Sequence, residues 1–135
     1  MRVVQMHDQR APAAASSCCI RDRSLARGCD FLIVPTTPDA LSIAALVTIT
    51  EAIQRLGAHQ WRVLLTMVPP PPNADGNTAR QELVNAGLPL FRTAISRTVA
   101  FPRAALKGVL VDDLRPRLGA RAAAQYREAA QEIPV

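Results

Sequence analysis

At 135 residues, the chain can build one hydrophobic core and is too short for two. Hydrophobic residues at 49% and charged residues at 20% exclude a disordered chain, and no apolar run of about 18 residues offers a membrane span. The formal charge is +5, most of it in residues 92–135, where seven Arg and one Lys face two Asp and two Glu. Cys18, Cys19 and Cys29 are odd in number and form no C-x-x-C pair. That argues against a zinc site or a disulfide framework and points to a reducing cytoplasm.

Residues 1–28 read as a poorly ordered leader, rich in small residues and without helix or strand period. The expected domain is 29–135. It opens with Phe31-Leu32-Ile33-Val34-Pro35, a short apolar run suited to a strand buried on both faces of a parallel sheet. Thr37, Pro38 and Asp39 then read as N-cap, first helical residue and dipole partner of a helix. Leu41, Ala45, Ile49, Ala52, Ile53 and Leu56 form its expected inner face, and Gly57 closes it.

Residues 61–68 read as a second strand, and Pro69 to Pro72 as an extended polyproline loop. Thr78-Ala79-Arg80-Gln81 has capping-box spacing for a helix ending at Gly87. Residues 89–93 read as a third strand, 98–107 as a helix interrupted at Pro102, and 119–133 as a closing helix. The alternation predicts an α/β fold with a three-stranded parallel sheet of 30–35, 61–68 and 89–93, the middle stretch central. Residues 30–34 then lie at an open edge, which invites self-association or a partner strand.

A phosphate loop is the first motif to seek in such a fold. The six glycines are at least eleven residues apart, and Lys107 is the one lysine, so neither a Walker loop nor G-x-G-x-x-G is present. No G-x-S-x-G elbow occurs, and Asp112-Asp113 is the sole adjacent carboxylate pair. The residues alone nominate no catalytic group and no metal site.

The stretch from Cys29 to Ser42 nevertheless resembles the strand-to-helix segment that follows the Walker B strand in ParA/MinD-type (deviant Walker) partition ATPases. The resemblance continues in order through residues 63–68, Arg80, residues 87–97, the Phe101, Ala104, Ala105 and Gly108 group, and the helix containing Tyr126. It covers residues 22–133 and implies the C-terminal half of a P-loop NTPase-like doubly wound fold. The family's P-loop, signature lysine and magnesium-binding aspartates have no counterpart among these residues. The resemblance thus implies a truncated plasmid- or chromosome-partitioning protein without ATPase activity of its own. It holds no cofactor as an isolated chain; ATP and magnesium belong to the intact family.

By the same resemblance, Thr66, Met67, Ser96 and Arg97 mark a vestigial adenine pocket. Arg80, Arg97, Arg103, Lys107, Arg115 and Arg117 are the candidates for weak, non-specific DNA contact, with nucleoid association in the cytoplasm. The alternative is a non-enzymatic module. It would dock through its strand edge on a ParA-type protein or on a separately encoded N-terminal half, with no role for a membrane.

Overall fold

The computed structural model describes residues 3–5, 29–58, 60–114 and 116–134. Among them, β1 (Val3–Gln5), β2 (Phe31–Thr36) and β3 (Trp61–Leu65) form one parallel sheet in that order. Four helices accompany it: α1 (Ala40–Arg55), α2 (Asp75–Asn85), α3 (Ala100–Lys107) and α4 (Pro116–Gln131), with a 3-10 turn at Val111–Asp113.

Alternation along the strands sends side chains to two separate cores. Leu32, Val34, Val63 and Leu65 meet Leu46 and Ile53 of α1 and Ala79 and Leu83 of α2. Phe31 and Leu64, on the other face, meet Phe91, Ile95 and Ala129 of α4. The Phe31 and Phe91 rings stand edge to face, 6.1 Å apart. Helices thus cover both faces, as a parallel sheet requires. A third cluster, Ala100, Ala104, Leu114 and Ala122, seats α3 and the 3-10 turn on α4.

The expected sheet of 30–35, 61–68 and 89–93 is not formed. Two of those stretches are strands, but residues 89–93 contribute only an isolated bridge, Leu90 to Val63. Val63 N–H donates to Pro89 O and Phe91 N–H to Val63 O, after which the segment leaves the ladder. The third strand is Val3–Gln5, inside the stretch expected to be disordered; residues 6–28 of that leader lie outside the described residues.

The open edge at 30–34 is therefore also corrected: β2 lies between β1 and β3. Leu32 N–H donates to Gln60 O and Thr36 O accepts from Thr66 N–H, so the even-numbered residues of β2 bond toward β3. The odd-numbered ones face β1, whose described residues pair as far as Gln5 opposite Ile33. The next position on that side is Pro35, which has no N–H to offer a further strand.

Helix boundaries differ from expectation for local reasons. Asp39, not Thr37, caps α1 by accepting from Ser42 N–H at 2.9 Å. Gly57 does close α1, at φ +71°. The buried face of α1 is Leu46, Thr50 and Ile53, while Leu41 is 83% exposed. α2 starts at Asp75, before the Thr78 capping box, and Thr78 lies inside the helix. α3 is unbroken because Pro102 sits in its first turn, where an N–H has no intrahelical acceptor. Pro71 and Pro72 form a turn rather than extended polyproline, and α4 starts three residues earlier than expected and ends at Gln131.

Candidate functional site

The end of β3 and the segment around Ser96 are the natural place to look, since ligands of parallel α/β sheets sit beyond the carboxyl ends of the strands. Val68 N–H donates to Ile95 O at 3.0 Å and Arg97 N–H to Val68 O at 2.8 Å, forming a parallel bridge. Thr66, Met67, Ser96 and Arg97, nominated from distant parts of the sequence, are therefore brought side by side. Met67 projects from the turn at φ +54°, a conformation uncommon for a non-glycine residue.

Two side chains of that assembly, Ser96 and Thr66, are engaged within the fold. Ser96 N–H donates to Gln125 Oε1 at 3.0 Å, and Gln125 Nε2 donates to Ser96 Oγ at 2.9 Å. Thr66 donates both its N–H, at 2.8 Å, and its hydroxyl, at 3.1 Å, to Thr36 O. These contacts use the amide and hydroxyl proton of Thr66, and the amide of Ser96 and one lone pair of its hydroxyl, while the hydroxyls keep further acceptor capacity. No glycine-rich loop is present to hold phosphates. Among the described residues no cluster of three metal-ligating side chains exists.

Sequence reasoning missed two residues near the end of the chain, Gln125 of α4 and Glu132 just beyond it. Gln125 makes the paired contact with Ser96. Just beyond the helix, the Glu132 carboxylate accepts from Arg92 N–H at 2.7 Å and from Thr93 N–H at 2.8 Å. Arg62 donates to Glu132 O at 3.1 Å and lies over the Phe91 ring. Partial burial raises the Glu132 pKa, but the Arg92 and Thr93 hydrogen bonds and the Arg62 charge outweigh it, and the carboxyl is held below its ordinary value. Partners some 30 to 40 residues away leave no local signal in a sequence.

The six basic candidates divide. Arg80 is turned inward and donates to Phe91 O and Arg92 O, both at 3.0 Å. Arg97, Arg103 and Lys107 are exposed, and their side chains have no hydrogen-bond or ion-pair partner among the described residues. Arg103 and Lys107 are one turn apart on α3. Arg117 belongs to α4, and Arg115 lies outside the described residues.

A shallow groove opens on the opposite face of the sheet, between the start of α1 and α2. Its lining combines the apolar Pro38, Ala40, Ile43 and Ala79 with the polar Asp75, Thr78 and Glu82. Asp39 stands beside it. The Thr37 hydroxyl and the Ser42 N–H and hydroxyl hold its carboxyl down to about 2.

No family model matches the chain. Over 111 residues, 82% of its length, it is 33% identical to the Maintenance of carboxysome distribution protein A of Gloeobacter kilaueensis. That stretch is 51% of the relative, so the chain spans about half the length of the curated protein it matches. No helix among the described residues is long and apolar enough to cross a membrane.

Proposed function

We propose that the chain is the second half of a ParA-type positioning protein, acting in the distribution of a cargo such as the carboxysome of its relative. The observation that carries this reading is the match itself: one third of the residues identical over four fifths of the chain, to a protein named for cargo distribution. The ordered motifs from Cys29 to Tyr126 and the parallel sheet covered by helices on both faces agree with it. Nucleotide chemistry then belongs to a segment with a phosphate loop, which these 135 residues do not contain. Arg97, Arg103 and Lys107 are its candidates for nucleic-acid phosphate contact, while Arg80 serves the fold.

A chimera tests this. The matched part of the Gloeobacter kilaueensis protein is replaced by residues 22–133 of this chain. Nucleotide binding and carboxysome distribution by the chimera support the reading. A folded chimera that binds nucleotide but leaves carboxysomes clustered would refute the positioning role, and one that does not bind nucleotide would refute the shared fold.

A further inference from the structure

Two surfaces of this chain complement one another and lie on opposite sides of the sheet. The first is the groove between α1 and α2. Ile43 and Ala79 belong to its apolar lining, and Asp75 and Glu82 have no side-chain partner among the described residues. One turn beyond Ile43, Val47 is half-exposed on α1. The second is the outer face of α3. Ala100 and Ala104 anchor that helix on α4, so Val99, Arg103, Leu106 and Lys107 point away from the core. Leu106 is 88% exposed between two unpaired cations. An isolated apolar residue on a surface is ordinary. A fully exposed leucine flanked by cations, on a molecule that also carries a groove lined by apolar residues and carboxylates, is a matched pair of surfaces.

We infer that a second copy of this chain docks head to tail, its α3 face seated in the α1–α2 groove. Leu106 would meet the apolar lining, with Arg103 and Lys107 against Asp75 and Glu82. One molecule cannot make this contact with itself, because α1 and α2 pack on one face of the sheet and α3 sits on α4 at the other. The contact is heterologous, so each added copy leaves a free groove and a free α3 face, and assembly is open-ended. Phosphate alone gives Leu106 and Val99 nothing to bury against, which favours a protein surface over a nucleic acid as the occupant. The charged rim makes the association salt-sensitive.

Sedimentation velocity across a concentration series, at low and at raised salt, reads this directly. The wild-type chain should associate at low salt and weaken as salt rises. R103E with K107E makes α3 acidic; D75N with E82K makes the groove basic. Each variant alone should associate roughly tenfold more weakly than wild type, because like charges then face one another. Mixed together, the two should regain association, since each acidic face now meets a basic one. Circular dichroism checks that all the chains are folded, and every substituted residue is exposed. A wild-type chain that stays monomeric at every concentration overturns the inference, including the case in which it binds random duplex DNA as a monomer. Association indifferent to both reversals overturns it too, as does a mixture no more associated than its components.

Discussion

Arg80 and Glu132 grip opposite polar groups of the same piece of backbone. Arg80, from α2, donates to the carbonyls of Phe91 and Arg92, while Glu132, beyond α4, accepts from the N–H groups of Arg92 and Thr93. The segment thereby satisfies its backbone without a strand partner on its outer side. That is why a sequence that reads as a strand over 89–93 needs only one bridge to β3. It also ties the helix layers on the two faces of the sheet to each other through a connection rather than through the core.

Replacing Glu132 by Gln keeps the shape and removes the charge. We expect a loss of about 1–2 kcal/mol at neutral pH, toward the lower end of the ~1.5–3 kcal/mol typical of hydrogen bonds to a charged group because this one is partly exposed. The folded pKa lies below the ordinary value of 4.5. Stability from this carboxylate is therefore fully present above 4.5 and is lost as pH falls through the lower folded value. Urea unfolding of both chains from neutral to acid pH checks it. The gap between them should close at low pH, and a constant gap would mean that the charge is not the cause.

Asp39 titrates in the same direction. Its carboxyl is held at about 2 by Thr37 and Ser42, against an ordinary 3.8. The contribution is present above 3.8 and disappears as pH falls through about 2. D39A should lower the melting temperature at neutral pH, whereas D39N, still able to cap the helix, should lower it less. Equal losses in the two variants would show that only charge matters there.

How legible this was depends on the element. β2 and β3 were readable because their apolar runs are short and bounded by turn residues. The inner face of α1 was not: its sequence is apolar almost all round, so stripes through Leu41 or through Leu46 fit equally well, and only packing on the sheet selects the second. β1 is three residues long and gave no period to detect. Nothing local in the sequence announces Gln125 as the partner of Ser96, or Glu132 as the partner of Arg92 and Thr93. In an amphipathic helix such residues read as solvated.

Gly119 carries the contact between α4 and the 3-10 turn. A Cβ placed there would lie 2.1 Å from Val111 O and 3.2 Å from Leu114 Cβ. The first obstacle is backbone, which cannot swing aside as a side-chain tip can. G119A should therefore destabilise the fold by about 1–3 kcal/mol, the usual range for overpacking, despite alanine's better helix propensity. Thermal unfolding measures it, and an unchanged or raised midpoint would show that α4 can slide away from the turn.

The isolated 135 residues should release no phosphate from ATP. No glycine-rich loop or Walker lysine is present, and on the candidate adenine side Thr66 is bonded to Thr36 O and Ser96 to Gln125. Hydrolysis needs groups that hold the phosphates and stabilise charge on the transferred one. Magnesium-dependent turnover that survives further purification and disappears on substituting residues of this chain would contradict the expectation.

Duplex DNA should bind weakly, and its binding should compete with self-association. Arg97, Arg103 and Lys107 are exposed and unpaired among the described residues, so phosphates can reach them without breaking anything in the fold. Neutralising about 3–4 phosphates predicts that log affinity falls with log salt at a slope of about −2.7 to −3.6. R103E with K107E should weaken every random sequence alike, because phosphate contacts carry no base information. R80E should act differently: it removes the ties to Phe91 and Arg92, so its first effect is a lower melting temperature. Anisotropy titrations of labelled duplex at several salt concentrations measure the slope. Because the acidic groove and the phosphates compete for the same two cations of α3, added duplex should also lower the sedimentation coefficient of self-associated protein once its own mass is accounted for. Binding that is indifferent to salt, or that R103E with K107E leaves unchanged, would remove α3 from the nucleic-acid contact.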